Sequence, residues 1–186
     1  MKSLRLVLAL AGILALSACT RFTNGVVETP LPNDSRLIGN WQEINHEGFL
    51  AISEASPTQL RAKSFEASPC DKADHALVTR TVLRRRNYLD ILSLGADAKD
   101  GLMLVTYAFD RKGRLVIRAS DDEAFARAVE RHQLPGEFSR GMVTNVQISA
   151  STAQLRTYLA THAKAMGAKP IVLVRLGKTS VLQCEK

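Results

Sequence analysis

The sequence predicts an α+β domain, mainly an antiparallel β-sheet or barrel of seven to nine strands with two helices. Three observations predict it. Short runs of alternating apolar and polar residues follow one another with turn residues between them, the period-2 mark of half-buried strands. Two connections, Arg84-Arg85-Arg86-Asn87 and Asp110-Arg111-Lys112-Gly113, have the length and composition of hairpin tips. Two Ser-led segments further on carry helix-capping patterns. Closing the sheet into a barrel would remove its edges.

The chain opens with Lys2 and Arg5, then the uncharged apolar run Leu6 to Leu16. Roughly 20 apolar residues are needed to span a bilayer as a helix, so the run suits a cleavable export signal rather than a permanent span. It closes on Leu16-Ser17-Ala18-Cys19, which resembles the lipobox of bacterial lipoproteins. That resemblance implies a signal peptide over residues 1–18, diacylglycerol on Cys19, cleavage before it, and acylation of the new amino terminus. Thr20, where the family's retention signal has Asp, implies the outer membrane, facing the periplasm. A plain signal peptide or an anchor helix is the alternative. Residues 19–35 carry Asn24-Gly25, Pro30, Pro32 and Asn33-Asp34, and are expected to form a flexible tether.

The globular domain is expected over residues 36–186. Leu37 to Trp41 opens it, followed by strands at Gly48–Ser53 and Gln59–Phe65. His75–Leu83 and Tyr88–Leu94 flank the arginine tip; Leu102–Phe109 and Arg114–Ala119 flank the second, with Gly113 placed for a positive φ. Ser120-Asp121-Asp122-Glu123 predicts a capped helix, with Ala124, Phe125, Ala128 and Val129 as its apolar stripe and Leu134-Pro135-Gly136 as its stop. Met142–Ser149 reads as a strand. Ser151-Thr152-Ala153-Gln154 caps a second helix that buries Leu155, Tyr158, Leu159, His162 and Met166, with Gly167 as the C′ glycine. Ile171–Leu176 is the last strand. Phe49, Leu60, Val82, Ile91, Leu104 and Ile117 are candidates to fill a barrel interior.

Removing the signal leaves about 168 residues, enough for one domain. The formal charge of +7 falls to +5 without Lys2 and Arg5. A mild positive excess suits a solvated surface or anionic lipid headgroups; nucleic acid is not expected as a partner, since no aromatic-interleaved basic stripe is present. With Cys19 lipidated, Cys70 and Cys184 remain of the three cysteines. In an oxidising compartment they are a disulfide candidate, the alternative being two unpaired thiols.

Leu37-x-Gly39-x-Trp41 resembles the opening of lipocalins and related calycin barrels, in which the Trp closes one end of the barrel. The mature chain is also similar to a group of bacterial lipoproteins sharing that opening, a strand-rich middle, and a capped helix followed by a Leu/Val/Arg-rich strand, here Ser151–Leu159 and Val172–Leu176. The resemblance implies a fold and no activity.

Motifs of catalysis are not found: no Gly-x-Ser-x-Gly, Ser-x-x-Lys or HExxH occurs. No enzymatic activity, cofactor or metal is expected. Cys70-Asp71-x-x-Asp74-His75 is the densest group of ligand types but reads as a surface turn, since Asp74 and His75 would point oppositely on a strand. Asp97-x-x-Asp100-Gly101 lacks the calcium-loop ligand series and reads as a turn. His162 reads as a core histidine. Arg84, Arg85 and Arg86 are the candidate contact for an anionic partner, a lipid headgroup or an acidic envelope protein, against a solvated loop. Two functions follow: a membrane-anchored, non-enzymatic binding module of the cell envelope, or a lipocalin-like carrier of a small apolar ligand.

Overall fold

The computed structural model of the protein describes residues 20–44, 48–65, 73–94 and 101–177. Among these, eleven strands and two α-helices form a closed eight-stranded barrel with a small three-stranded sheet beside it. The barrel strands are β2 (Gly39–Glu43), β3 (Phe49–Ser56), β4 (Gln59–Phe65), β5 (Asp74–Leu83), β6 (Arg86–Ser93), β7 (Met103–Phe109), β8 (Leu115–Ala119) and β11 (Ile171–Arg175). Seven of them meander in sequence order, every pair antiparallel. After β8 the chain leaves the barrel through α1 (Asp122–Glu130), the β9–β10 hairpin (Gly136–Arg140, Thr144–Ile148) and α2 (Thr152–Thr161). It returns as β11, which lies between β8 and β2 and closes the barrel. β1 (Thr20–Phe22) pairs parallel with β10, giving the small sheet the order β1-β10-β9.

Period-2 alternation builds two cores from one wall. Inward residues such as Leu60, Val78, Leu89, Val105 and Leu115 fill the barrel around Trp41. Outward Tyr88 and Leu104 join a second core with Phe22, Val26, Phe125, Leu155 and Leu159, between the barrel wall, the helices and the small sheet. Burying one such side chain stabilises the fold by about 1.5–3 kcal/mol. Leu60, Ile91 and Ile117 lie inside the barrel as expected, whereas Leu104 faces the second core, Phe49 is half-buried and Val82 is 37% exposed beside the hairpin tip.

Four expectations need correction. The presumed tether is part of the fold: Thr20, Phe22 and Val26 are wholly buried, and Thr20–Phe22 is a strand whose partner lies far along the chain. Ser120 does not cap α1. It follows β8 with its hydroxyl buried and without a hydrogen-bond partner, and Asp121 caps instead, accepting the Ala124 amide at 3.0 Å. His162 is not in the core: α2 ends at Thr161, the 3-10 turn Ala163–Met166 changes the phase, and Ala165 and Met166 are buried in its place. His162 lies exposed, stacked 4.3 Å from Tyr158, and Gly167 keeps a negative φ of −106° rather than the left-handed cap. The Ser151–Gln154 capping box forms as expected.

Candidate binding site: the barrel and its two ends

One end of the barrel is closed. Residues 31–38 cross it, the Leu31 amide donating to the Arg80 carbonyl and the Asn33 amide to that of Pro57, each at 3.0 Å. Beneath lies Trp41, fully buried, with its indole N–H on the Leu37 carbonyl at 2.9 Å. The Arg175 guanidinium covers the Trp41 ring at 4.4 Å and donates to the carbonyls of Ile38 (2.7 Å) and Arg36. Gly39 makes this possible. Its φ is +144°, and a Cβ there would meet Arg175 Nη1 at 2.5 Å. The Gly-x-Trp pair and the last strand are therefore one structural unit, joined by a cation over an aromatic face.

A polar network sits at this closed end, built on inward positions. Arg80 follows Ala76 and Val78 on the inner face of β5; its Nε donates to the Tyr107 hydroxyl at 2.8 Å and its Nη2 to Asn87 Oδ1 at 3.1 Å. Tyr107 donates in turn to Asp34 Oδ2 at 3.1 Å, and Asp34 also receives the Arg36 guanidinium at 2.8–2.9 Å. The Arg36 hydrogen bonds hold the Asp34 carboxyl below its ordinary value. Burial, and then the Asp34 charge beside it, push the Tyr107 phenol up to about 12. Sequence reasoning missed this network; its signal was a charged residue, Arg80, in phase with an apolar inner face.

Toward the opposite end the inner wall includes small residues. Ala62 faces Ala76 across β4 and β5, Ser64 faces Asp74 one step further out, and Ala119 lies opposite Val105. Ala62, Ala76 and Ala119 are buried and belong to the barrel core. Larger side chains share this end: Leu50 stands opposite Ser64 and Met103 opposite Ile91, and Leu50, Ile91 and Met103 are buried in the same core.

A further buried charge lies on the outer wall. Asp90 is 5% exposed, and its two carboxylate oxygens accept the amides of Val26 (3.0 Å) and Val27 (2.9 Å). Burial raises its pKa while those amides oppose the rise. It fastens residues 20–38 as a strap. Arg156 adds a hydrogen bond to the Val26 carbonyl at 2.9 Å.

Arg84 and Arg85 form the two-residue turn at the closed end and are exposed, at φ 50° and 66°. Arg86 opens β6 and donates to the Ala163 carbonyl at 3.0 Å, so the triplet is divided between a free tip and a packing contact. Asp74 and His75 start β5, exposed and on opposite faces. Cys19, Cys70, Cys184, Asp97 and Asp100 lie outside the described residues. Among the described residues no cluster of three or more His, Cys, Asp or Glu side chains is placed to hold a metal ion. A shallow surface cleft of about 500 Å³ between α1 and β9, bordered by Val129, His132, Leu134 and Phe138, lies outside the barrel.

No protein-family model, curated protein or solved structure matches the chain. No helix among the described residues is long and apolar enough to cross a membrane.

Proposed function

We propose that the chain is a lipoprotein of the cell envelope, anchored through Cys19, whose barrel is a non-enzymatic, lipocalin-like site for a small apolar ligand. The closed eight-stranded barrel carries this reading. An eight-stranded barrel is just wide enough to be filled by its own side chains or to hold one small ligand. Here residues 31–38 cover one end with Trp41 beneath them, and toward the other the small residues Ala62, Ala76, Ala119 and Ser64 stand among Leu50, Ile91 and Met103. An apolar pocket with few polar groups takes ligands by burial rather than by charge. Lipid on Cys19 would hold the barrel at the outer membrane, on its periplasmic side, and raise its effective concentration near lipid-derived molecules.

Native mass spectrometry of the domain from Thr20 onward, exported without lipid and purified gently, tests the ligand. A reproducible adduct released by denaturation is expected. A bare mass for the unaltered domain would remove the carrier reading. The amino-terminal peptide of the full chain, carrying diacylglycerol and lost in Cys19→Ser, tests the anchor separately.

A second reading rests on the arginine tip. Two non-glycine residues in the left-handed region at an exposed turn retain strain that Asn-Gly would avoid. Such retention fits a contact with an anionic envelope partner, a lipid headgroup or an acidic protein surface. Binding of vesicles containing phosphatidylglycerol, compared between the unaltered chain and Arg84→Asn/Arg85→Gly, decides it.

A further inference from the structure

Thr20 and the tip of the β9–β10 hairpin lie on one edge of the small sheet. β1 runs parallel to β10 with Thr20 opposite Val146 and Phe22 opposite Ile148. Chain entering β1 therefore arrives from the side of Asn145, Thr144 and the turn Gly141–Val143. In that turn Met142 is 105% exposed and Val143 52%, the two most exposed large hydrophobic residues among those described. Val146 lies four positions after Met142, at most roughly 13 Å at about 3.3 Å each. Cys19 is one peptide unit, about 3.8 Å, from Thr20.

Nothing slack separates the lipidation position from the folded body. Thr20 is wholly buried, its amide and hydroxyl both donating to Asp122 Oδ1 at 3.1 and 2.6 Å. A lipid attached one residue earlier would hold this edge of the domain against the bilayer rather than let the domain swing on a leash. The two side chains on either side of the turn are paired. Arg140 pairs with Glu130 at 3.1 Å, and the Thr144 hydroxyl donates to Glu123. The exposed side chains of the turn itself are apolar.

We propose that the Met142–Val143 turn inserts into the interfacial layer of the bilayer that holds the Cys19 lipid, fixing the domain with this sheet edge on the membrane. The inference rests on the lipid-anchor reading above. Two apolar side chains partition weakly by themselves, but beside a covalent anchor they need only select an orientation. Methionine suits the role, being flexible and unbranched enough to fit among acyl chains.

Trp41 is the single tryptophan and is buried, which makes an added tryptophan readable. The full chain, processed in cells and reconstituted into phosphatidylethanolamine–phosphatidylglycerol vesicles with brominated acyl chains, is compared as Met142→Trp and Lys112→Trp. Lys112 is exposed on the β7–β8 turn, on the barrel rather than the small sheet. Both variants should float with the vesicles. The emission added by Met142→Trp should be quenched roughly twofold or more, as expected of a side chain lying about 5–10 Å into the interface, while that of Lys112→Trp is unchanged. Flotation without quenching of Met142→Trp would overturn the insertion and leave the anchor standing, with a second copy or a protein surface as the turn's occupant. A chain that fails to float would overturn the anchor and the insertion together.

Discussion

Tyr107 ties three parts of the chain together through one hydroxyl, which accepts from Arg80 on β5 and donates to Asp34 in the crossing segment. The side chain is 3% exposed and its pKa is raised from 10.0 to about 12, by burial first and by the Asp34 charge second. A group whose folded value is raised contributes stability present in full below its unfolded value and lost as pH climbs through the folded one. The window is therefore pH 10 to about 12, and a shift of this size corresponds to about 2–3 kcal/mol. Tyr107→Phe should cost about 1–2 kcal/mol near pH 8, by leaving Arg80 short of an acceptor and Asp34 of a donor. Between pH 10 and 12 the unaltered protein should then lose that advantage, so that the two curves converge or cross in urea titrations. Curves that stay parallel would show that another group governs the alkaline loss. Asp34 works in the opposite sense: its lowered carboxyl contributes above its ordinary value and is lost as pH falls below it. Leu37, Gly39 and Trp41 were legible as the opening of a barrel, because their spacing is local. Their partner Arg175 was not, since nothing in a strand of Ile, Val and Leu says which ring its terminal arginine will cover.

At the scale of elements, hairpins and caps were legible where the chemistry lies within a few residues. Asp110 accepts the amides of Lys112 (2.8 Å) and Arg114 (3.0 Å), and Gly113 takes a positive φ of 73°, as the turn sequence implies. Ser151 and Gln154 cap each other's backbone for the same reason. β1 and β9 were illegible because Thr-Arg-Phe and Gly-Glu-Phe-Ser-Arg show too little alternation, and their pairing is decided by β10. The β5–β6 turn was legible in place but not in conformation. Two adjacent residues at positive φ between paired Leu83 and Arg86 fit a type I′ turn, for which Asn-Gly is the unstrained choice. Each arginine costs about 1–2 kcal/mol in that region. Arg84→Asn/Arg85→Gly should therefore raise the denaturant midpoint by an amount equivalent to about 1–3 kcal/mol, with an unchanged m-value. A midpoint that falls instead would mean that the arginine side chains stabilise the turn through contacts of their own.

For the molecule as a whole, the closing strand and the strap are what local patterns do not encode. β11 follows two helices and a hairpin before it pairs with β8 and β2, and residues 20–38 join the small sheet, the barrel wall and the closed end in turn. Their Pro, Asn and Gly content, which suits a tether, instead lets an extended chain follow a curved surface. Gly25 shows how close the fit is. A Cβ there would stand 1.9 Å from Asp90 Oδ2 and 2.5 Å from its Cγ. Asp90 has no room to turn away without giving up the Val26 and Val27 amides, and would then be a buried carboxylate without donors. Gly25→Ala should accordingly destabilise the fold by about 1–3 kcal/mol, the range of an overpacked site. The strap should loosen before the barrel does, because its fastening is local to the outer wall. Trypsin reads this directly. In the unaltered protein Arg21 and Arg36 should be cut more slowly than the exposed Arg111, since cleavage in the strap requires it to open. In Gly25→Ala the cuts at Arg21 and Arg36 should accelerate while that at Arg111 keeps its rate. Rapid cutting at Arg21 in the unaltered protein would restore the tether in place of the packed strap.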